Sequence, residues 1–312
     1  MNKFLLLSTD MIIYLTLTVA GLVIIGFLGR LWWAFDIFSS FQLQYFIYFL
    51  FATIFFLTIG NYRYVGIAAL FVLITGILIF PIYFKNKAGS GIEIAQSLKI
   101  LSFNMQRSAD ADQFINYMKG EDPDLIVLSE ITKATYGAVQ NNAPEYNIHL
   151  LGEAGKEASN IAIFSRIPET KLVVDYFGSG KRPSIRVEFM AGQQTTVLYG
   201  IHPTIPFRYK AYTSFYNEFI QRVAQEKGKV IIVGDFNMTP WSQNFRYLLS
   251  KTHLKDSRSG AGLGLSWPTI FPAFMRLPLD HVLTSQDITI QNRTLGPKMG
   301  SDHFPLVTEL GL

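Results

Sequence analysis

The sequence predicts an α/β fold preceded by an N-terminal bundle of three transmembrane helices. Two observations predict it. Apolar residues concentrate in the first 84 positions, and from Leu98 onwards short apolar runs alternate with turns and amphipathic segments. We therefore divide the chain into a helical membrane anchor (1–87), a polar linker (88–97) and a soluble domain (98–312) with a mixed sheet.

Three uncharged apolar stretches predict the membrane spans: 11–29, 41–59 and 64–84. Each approaches the roughly 20 residues needed to cross a bilayer, and aromatic residues cluster near their ends. A cleaved signal peptide or buried core helices are the alternatives, but a signal sequence has a shorter apolar region and would not be followed by two more spans.

Charge and cysteine content limit the function and leave the topology open. Two basic residues lie on one side of the predicted spans (Lys3 and Arg63) and three on the other (Arg30, Lys85 and Lys87), too even for the positive-inside rule. Residues 88–312 contain 22 basic and 21 acidic residues, without the positive excess usual in nucleic-acid binding. There are no cysteines, which excludes disulfides and thiolate metal sites.

Within the soluble domain, apolar runs predict eight strands and amphipathic segments predict three helices. The strands are 99–104, 125–129, 161–164, 184–189, 196–201, 230–233, 281–284 and 304–309, and the helices are 110–119, 207–226 and 241–249.

Polar side chains stand where these strands begin or end. They are Asn104, Glu130, His202, Asp235 with Asn237, Asp280, and Asp302 with His303. One such residue usually only begins a solvated loop, but strand ends in an α/β sheet gather along one edge, where six such positions can converge on a crevice. Carboxylate and amide oxygens suit Mg²⁺, with Mn²⁺ as the alternative, and a histidine can transfer a proton. This pattern predicts metal-assisted phosphoester chemistry.

The strings LSFNM, DLIVLSE, GIHP, GDFN, LDHVL and GSDHFP resemble, in order, the motif series of the endonuclease/exonuclease/phosphatase superfamily, which includes DNase I. The resemblance covers nearly all of 98–312. It implies a four-layer α/β/β/α sandwich of the DNase I-like type. It also implies hydrolysis of a phosphoester by in-line attack of water, without a phospho-enzyme.

The resemblance also implies roles for single residues. Glu130 would be the principal metal ligand, assisted by Asn104 and Asp302. His303 would be the general base or transition-state proton partner, oriented by Asp280. Asp235 would position the attacking water, Asn237 would hold a phosphate oxygen, and His202 would be a second phosphate-contacting histidine.

Other polar residues have mainly structural interpretations. His281 should face away from Asp280 if both lie on one strand. His149 and His253 belong to no motif and are expected at the surface. Three arginines could pair with a substrate phosphate, although a structural or solvated role is the simpler expectation for each: Arg107, Arg182 and Arg186.

Two features bear on the substrate. The apolar segment 263–275, with Pro268 and Pro272, is either a loop packed on the core or an apolar lip that meets a lipid chain or the bilayer. The turn Ser266-Trp267-Pro268 and the N-terminal bundle resemble bacterial membrane-anchored members associated with glycopeptide resistance. That likeness implies a multi-pass protein of the bacterial cytoplasmic membrane with an extracytoplasmic catalytic domain.

The favoured hypothesis is a phosphatase or phosphodiesterase that acts on a lipid-linked phosphate in the bilayer. A membrane-tethered nuclease is the alternative, which a basic groove beside the strand ends would favour. A non-catalytic membrane scaffold is the third hypothesis, and the completeness of the motif set argues against it.

Overall fold

A computed structural model of the protein describes residues 3–84, 94, 96–153, 155, 159–168 and 170–312. Most of the predicted linker (88–97) therefore lies outside the described residues. The N-terminal module, as we call residues 3–84, contains α1 (Lys3–Phe27), α2 (Trp33–Ser39), α3 (Gln42–Thr58), α4 (Tyr62–Ile79) and a 3-10 turn (Phe80–Tyr83).

Two helical segments of this module are long and apolar enough to cross a membrane, Thr9–Phe27 and Tyr62–Tyr83. The middle predicted span differs from expectation. Its helix, α3, has only 17 residues, and it is preceded by α2, whose axis is bent by 57° from that of α3. The module thus offers two possible spans, or three if the bent pair counts as one.

The body of the protein begins at β1, and its elements follow in chain order. The strands are β1 (Ser97–Asn104), β2 (Leu125–Ser129), β3 (Ile148–Gly152), β4 (Ile161–Ser165), β5 (Lys171–Phe177), β6 (Arg182–Ala191), β7 (Gln194–Ile201), β8 (Lys229–Asp235), β9 (Lys255–Asp256), β10 (Asp280–Thr284), β11 (Thr289–Leu295) and β12 (Leu306–Gly311). The helices are α5 (Ala111–Glu121), α6 (Lys133–Asn142), α7 (Tyr209–Val223) and α8 (Gln243–Thr252), with a 3-10 turn at Ala273–Met275.

These strands form two six-stranded sheets, in the orders β11-β12-β1-β2-β4-β3 and β5-β6-β7-β8-β10-β9. The prediction of a mixed sheet is confirmed for both, because β1–β2 and β7–β8 are parallel and the other pairs are antiparallel. One apolar core lies between the sheets, where Val127 and Ile163 of the first sheet share a cluster with Leu198 and Val233 of the second.

Two further cores place helices on the outer faces. Phe114 and Met118 of α5 pack on the first sheet, and Phe215 and Phe219 of α7 pack on the second. Buried positions on α7 recur at three- and four-residue intervals, which gives the helix one apolar side. The layer order is therefore α/β/β/α.

All eight predicted strands and three predicted helices are present, with ends shifted by up to three residues. The sequence prediction omitted β3, β5, β9, β11 and α6. The four omitted strands are the four edges of the two sheets. Edge strands carry half-exposed, mixed sequences, and α6 buries only Val139 completely within its own span, so neither gives a strong apolar pattern.

Candidate active site

The strand ends that carry polar residues meet at one edge of the two sheets. Asn104 ends β1 and is paired with Ser129, which directly precedes Glu130. On the second sheet, Asp280 at the start of β10 is paired with Asp235 at the end of β8. The antiparallel direction of β10 and β12 brings their beginnings to the edge where β1, β2, β7 and β8 end.

Local backbone geometry aims two of these side chains. Glu130 and Asn237 both adopt φ of +53°, a left-handed conformation that is uncommon outside glycine and often found at functional sites. Gly234, before Asp235, has φ of +144°, and a Cβ there would collide with the carbonyl oxygen of Ile201 in β7. Glycine at this position lets the two strands approach closely enough to place Asp235 beside the histidines.

A hydrogen-bonded group forms around His303. Its Nδ1 lies 2.9 Å from Asp280 Oδ2, and its Nε2 lies 3.6 Å from Asp235 Oδ2. Burial alone would lower the pKa of His303, but the Asp280 and Asp235 carboxylates together raise that pKa to about 9. Burial raises the pKa of Asp235 above its ordinary value, against the opposing effect of His303. This group can hold and move a proton.

His202 stands on the other side of Asp235. Its Nε2 lies 3.6 Å from Glu130 Oε1 and 3.7 Å from Asp235 Oδ2. Burial, followed by the charges of Arg182 and His303, lowers the pKa of His202 to about 3. The ring is therefore neutral at physiological pH and can donate one hydrogen bond.

The carboxylates of Glu130 and Asp302 offer oxygen atoms suited to a hard cation beside these histidines. The Asn104 amide nitrogen donates to Glu130 Oε1 (3.3 Å) and to Asp235 Oδ2 (3.0 Å), while its Oδ1 accepts from the Gln106 backbone N–H (3.0 Å). Burial raises the pKa of Glu130, and the charge of Asp302 adds to that rise. Asp302 Oδ1 is buried and has no hydrogen-bond partner among the described residues. The unpaired oxygen of Asp302 and the partly buried carboxylate of Glu130 together fit a divalent cation, which would offset both negative charges.

A second grouping of ligand atoms consists of Asp235, Asp280 and His303, whose candidate ligand atoms lie within 4.8 Å of one another. Asp280 already holds one ring nitrogen of His303 by a hydrogen bond. The same three side chains could therefore exchange a proton or hold a cation.

Asn237 lies at the same edge. Its backbone N–H donates to Asp235 Oδ1 (2.8 Å), and its side-chain amide donates to the carbonyl oxygen of Pro203 (3.0 Å). All eight predicted site residues are thus within one neighbourhood, although the roles expected of them remain predictions.

Several supporting residues were not predicted. Trp267 Nε1 donates to Asp302 Oδ2 (2.9 Å), and Gln106 Oε1 accepts from the Asp302 backbone N–H (3.2 Å). The Ser301 hydroxyl links the carbonyl oxygen of Asn104 (2.6 Å) to the backbone N–H of His303 (3.0 Å). Ser301 and Trp267 adjoin motifs that the sequence does show, but nothing in the sequence indicates which atoms they contact.

Two of the remaining polar candidates make structural contacts away from the site. His281 faces away from the site, as predicted, and packs between Phe236 and Phe245. Arg186 forms ion pairs with Glu226 (3.0 Å) and Glu188 (2.7 Å), which gives it a structural role.

Two histidines and two arginines outside the predicted site differ in their exposure. His253 is exposed as predicted, whereas His149 is half-buried and bonded to the Tyr136 hydroxyl (2.7 Å). Arg182 lines the catalytic cavity, and Arg107 is exposed but close enough to influence Glu130.

The segment 263–275 is packed on the body in its first half, and contact of its exposed half with a lipid stays a prediction. Ser266, Pro268 and Thr269 are buried beside the site, where the Ser266 hydroxyl accepts from the backbone N–H of Asp280 (3.3 Å). Residues 270–275 are exposed, including Ile270 and Phe274. The segment thus joins a packed support to an apolar rim.

Comparison with known proteins agrees with this architecture. The model of the Endonuclease/Exonuclease/phosphatase family matches residues 101–303. No curated protein sequence matches the chain.

Three solved structures share the fold. The endonuclease/exonuclease/phosphatase from Beutenbergia cavernae is 18% identical, with 70% of this chain and 72% of that chain covered and a TM-score of 0.58. D. rerio TDP2 complexed with a single-strand DNA product is 15% identical, over 70% and 100% of the two chains, with a TM-score of 0.54. The human Nocturnin catalytic domain with a bound sulfate anion is 14% identical, over 69% and 94%, with a TM-score of 0.51.

These identities establish the fold alone, whereas the family match spans the strands and loops that carry Glu130, His202, Asp235, Asp280 and His303. The chain belongs to the Endonuclease/Exonuclease/phosphatase family and is a metal-dependent hydrolase of phosphoric esters.

Proposed function

We propose that this protein is a membrane-anchored phosphoesterase that hydrolyses a lipid-linked phosphate by in-line attack of water, with Mg²⁺ as its cation. The observation that carries the proposal is a single cavity of about 590 Å³ that contains both the buried catalytic group and apolar side chains of the N-terminal module. Residues 98–312 supply the chemistry, and α1, α3 and α4 would anchor it in the bacterial cytoplasmic membrane, with the catalytic domain outside the cytoplasm.

Glu130, Asn104 and Asp302 would hold the cation, which polarises a phosphoryl oxygen when bound. Asp235 orients the attacking water and accepts its proton, since burial has made this carboxyl more basic than usual. His303, held by Asp280 and positively charged at neutral pH, stabilises the negative charge that develops on the phosphoryl oxygens and donates a proton to the leaving oxygen. His202 and Asn237 donate hydrogen bonds to phosphate oxygens.

The charge of the chain supports a lipid rather than a nucleic acid. Residues 88–312 are almost neutral in net charge, so there is little general attraction to a polyanion. Ile205 and Phe207, which line the cavity, are exposed, and so are Phe271 and Phe274 of the segment 270–275. Exposed apolar side chains in number are typical of a surface that meets a membrane or an apolar ligand.

A nucleic-acid phosphodiester is the second candidate, and one observation favours it. Arg182 and Arg208 both line the cavity that contains Glu130, so a local positive patch exists despite the neutral total. The structural neighbour TDP2 is described with a single-strand DNA product, which is consistent with this candidate.

The deciding experiment is a substrate panel for the purified full-length protein with Mg²⁺ in detergent micelles. The panel contains lipid phosphates, sphingomyelin, plasmid DNA and an abasic oligonucleotide, each tested beside Asp235→Ala and His303→Ala. We expect turnover of a lipid phosphate by the unaltered protein and loss of that turnover in both variants. Cleavage of DNA alone would overturn the lipid proposal, and equal activity in all three proteins would overturn the site assignment.

A further inference from the structure

The catalytic cavity has two chemically different ends. At one end lie Glu130, His202, Asp235, Asp302 and His303, which form the reacting group described above. Elsewhere the lining is mostly apolar and includes Trp33, Ile37, Phe41, Ile205, Pro206 and Phe207, beside a few polar residues such as Ser40 and Asn244. The volume of about 590 Å³ falls in the range of roughly 300–1,000 Å³ that is usual for small-ligand sites.

Half of the apolar end comes from α2 and the residues after it, so the N-terminal module builds part of the active-site cavity. α2 is held there by Asp36, which is buried. Its carboxylate accepts from the Ser242 hydroxyl (2.6 Å), the Gln243 backbone N–H (2.6 Å) and the Asn244 amide (2.6 Å). These bonds place a negative charge at the N-terminus of α8, where the helix dipole favours it.

Aromatic contacts fix the same helix to the opposite wall. Trp33 stacks on Tyr209, with ring centroids 5.9 Å apart and planes 7° from parallel, and it also meets Phe207 edge to face at 5.9 Å. Trp33 and Ile37 are each only partly covered by protein, although they lie between two packed elements. Both residues line the cavity.

The apolar end lies where the membrane module joins the body. α2 follows the end of α1 and precedes α3, and other contacts at this junction link Trp241 Nε1 to the Leu78 carbonyl oxygen (3.1 Å) and Gln44 to the Phe274 carbonyl oxygen (2.9 Å). Leu31 beside α2 is 77% exposed and Phe207 is 69% exposed, as expected for side chains at a bilayer surface. With α1, α3 and α4 in the bilayer, as proposed, this junction would lie at the bilayer surface.

We propose that α2 and the segment 205–207 bind the apolar chain of the substrate next to the reacting phosphate. The N-terminal module is then part of the substrate site as well as an anchor, with Trp33, Ile37 and Phe41 as specificity-determining residues. This inference rests on the proposed lipid-phosphate hydrolysis. It adds that discrimination between short and long chains depends on α2.

The test compares Ile37→Ala with Ile54→Ala in the full-length protein. Ile54 lies on α3, is 56% exposed and does not line the cavity, so the two variants remove the same atoms from different surroundings. The measured quantity is KM for a long-chain lipid phosphate divided by KM for a water-soluble short-chain ester, both in the same micelles. We expect this ratio to rise about 5-fold in Ile37→Ala, because apolar contact with the long chain is lost, and to stay unchanged in Ile54→Ala.

A third variant, Ile37→Trp, narrows the apolar end instead of widening it. We expect this larger side chain to raise KM most for the longest chain tested. If lipid phosphates are hydrolysed but the ratio responds equally to Ile37→Ala and Ile54→Ala, the role of α2 is wrong and the proposed function stands. If the unaltered protein hydrolyses the short-chain ester and no lipid phosphate, the proposed function is wrong and this inference with it.

Discussion

The polar and the apolar ends of the catalytic cavity are built in different ways. Every reactive side chain at the polar end lies at the end of a strand or in the loop next to it, and those ends are brought together by strand pairing, as between Asp280 and Asp235. The apolar end depends on packing between distant parts of the chain, as between Trp33 and Tyr209. The family fold thus carries the polar residues, whereas a segment that precedes it lines part of the same cavity.

The polar end should be the more sensitive to substitution. His303→Ala removes the group between Asp280 and Asp235, and we expect kcat to fall about 10²–10⁴-fold, the usual contribution of a positioned acid or base. The measurement is hydrolysis of a water-soluble aryl phosphoester. His253→Ala is the matched control, since His253 is exposed at the end of α8, and similar losses in both variants would contradict the assignment.

The cation should depend on Glu130. Glu130→Gln keeps the size of the side chain but removes its charge, and we expect Mg²⁺ to bind about 100-fold more weakly by isothermal titration calorimetry. Glu145→Gln makes the same change at an exposed position. Unaltered Mg²⁺ affinity in Glu130→Gln would mean that the cation lies elsewhere, with the group of Asp235, Asp280 and His303 as the other location.

A smaller effect is expected where a residue only orients a cation ligand. Trp267→Phe deletes the N–H that donates to Asp302 Oδ2, so Mg²⁺ affinity should fall about 10-fold. Trp241→Phe deletes an indole donor that bonds the Leu78 carbonyl oxygen instead. The measurement is titration of both variants with Mg²⁺. Only the Trp267 change should lower the Mg²⁺ affinity.

The attachment of α2 should contribute stability at the junction. Asp36→Ala removes the acceptor at the start of α8, and we expect the free energy of unfolding to fall by about 1–2 kcal/mol, a loss of a few degrees in Tm. Asp112→Ala, at an exposed carboxylate on α5, should change Tm by much less. Equal Tm values for the Asp36 variant and the unaltered protein would show that α2 is not held as described.

The two ends of the cavity also differ in how far they could be predicted from the sequence. Asn104, Glu130, Asp235 and His303 follow or precede buried strands, so apolar runs with polar ends were enough to predict their convergence. The edge strands, by contrast, lack such runs because one of their sides faces solvent.

The contribution of α2 could not be predicted, for a physical reason. Its seven residues read as part of a loop between two apolar stretches, and its position depends on the Asp36 carboxylate meeting Ser242. These two residues are 206 positions apart, so their contact does not alter the spacing of apolar residues in either segment. The hydrogen bonds of Trp267 and Ser301 could not be predicted either, because they depend on the three-dimensional arrangement of distant residues.

We expect one substrate molecule to occupy both ends of the cavity at once. A long-chain alkyl phosphonate that cannot be hydrolysed, with a photoreactive diazirine in its chain, tests this in the full-length protein by mass spectrometry of the cross-linked peptides. We predict labelling in residues 33–41 and 203–208, suppressed by excess unlabelled phosphonate. Labelling confined to the lipid-facing surfaces of α1 and α4, and unaffected by competitor, would contradict the account.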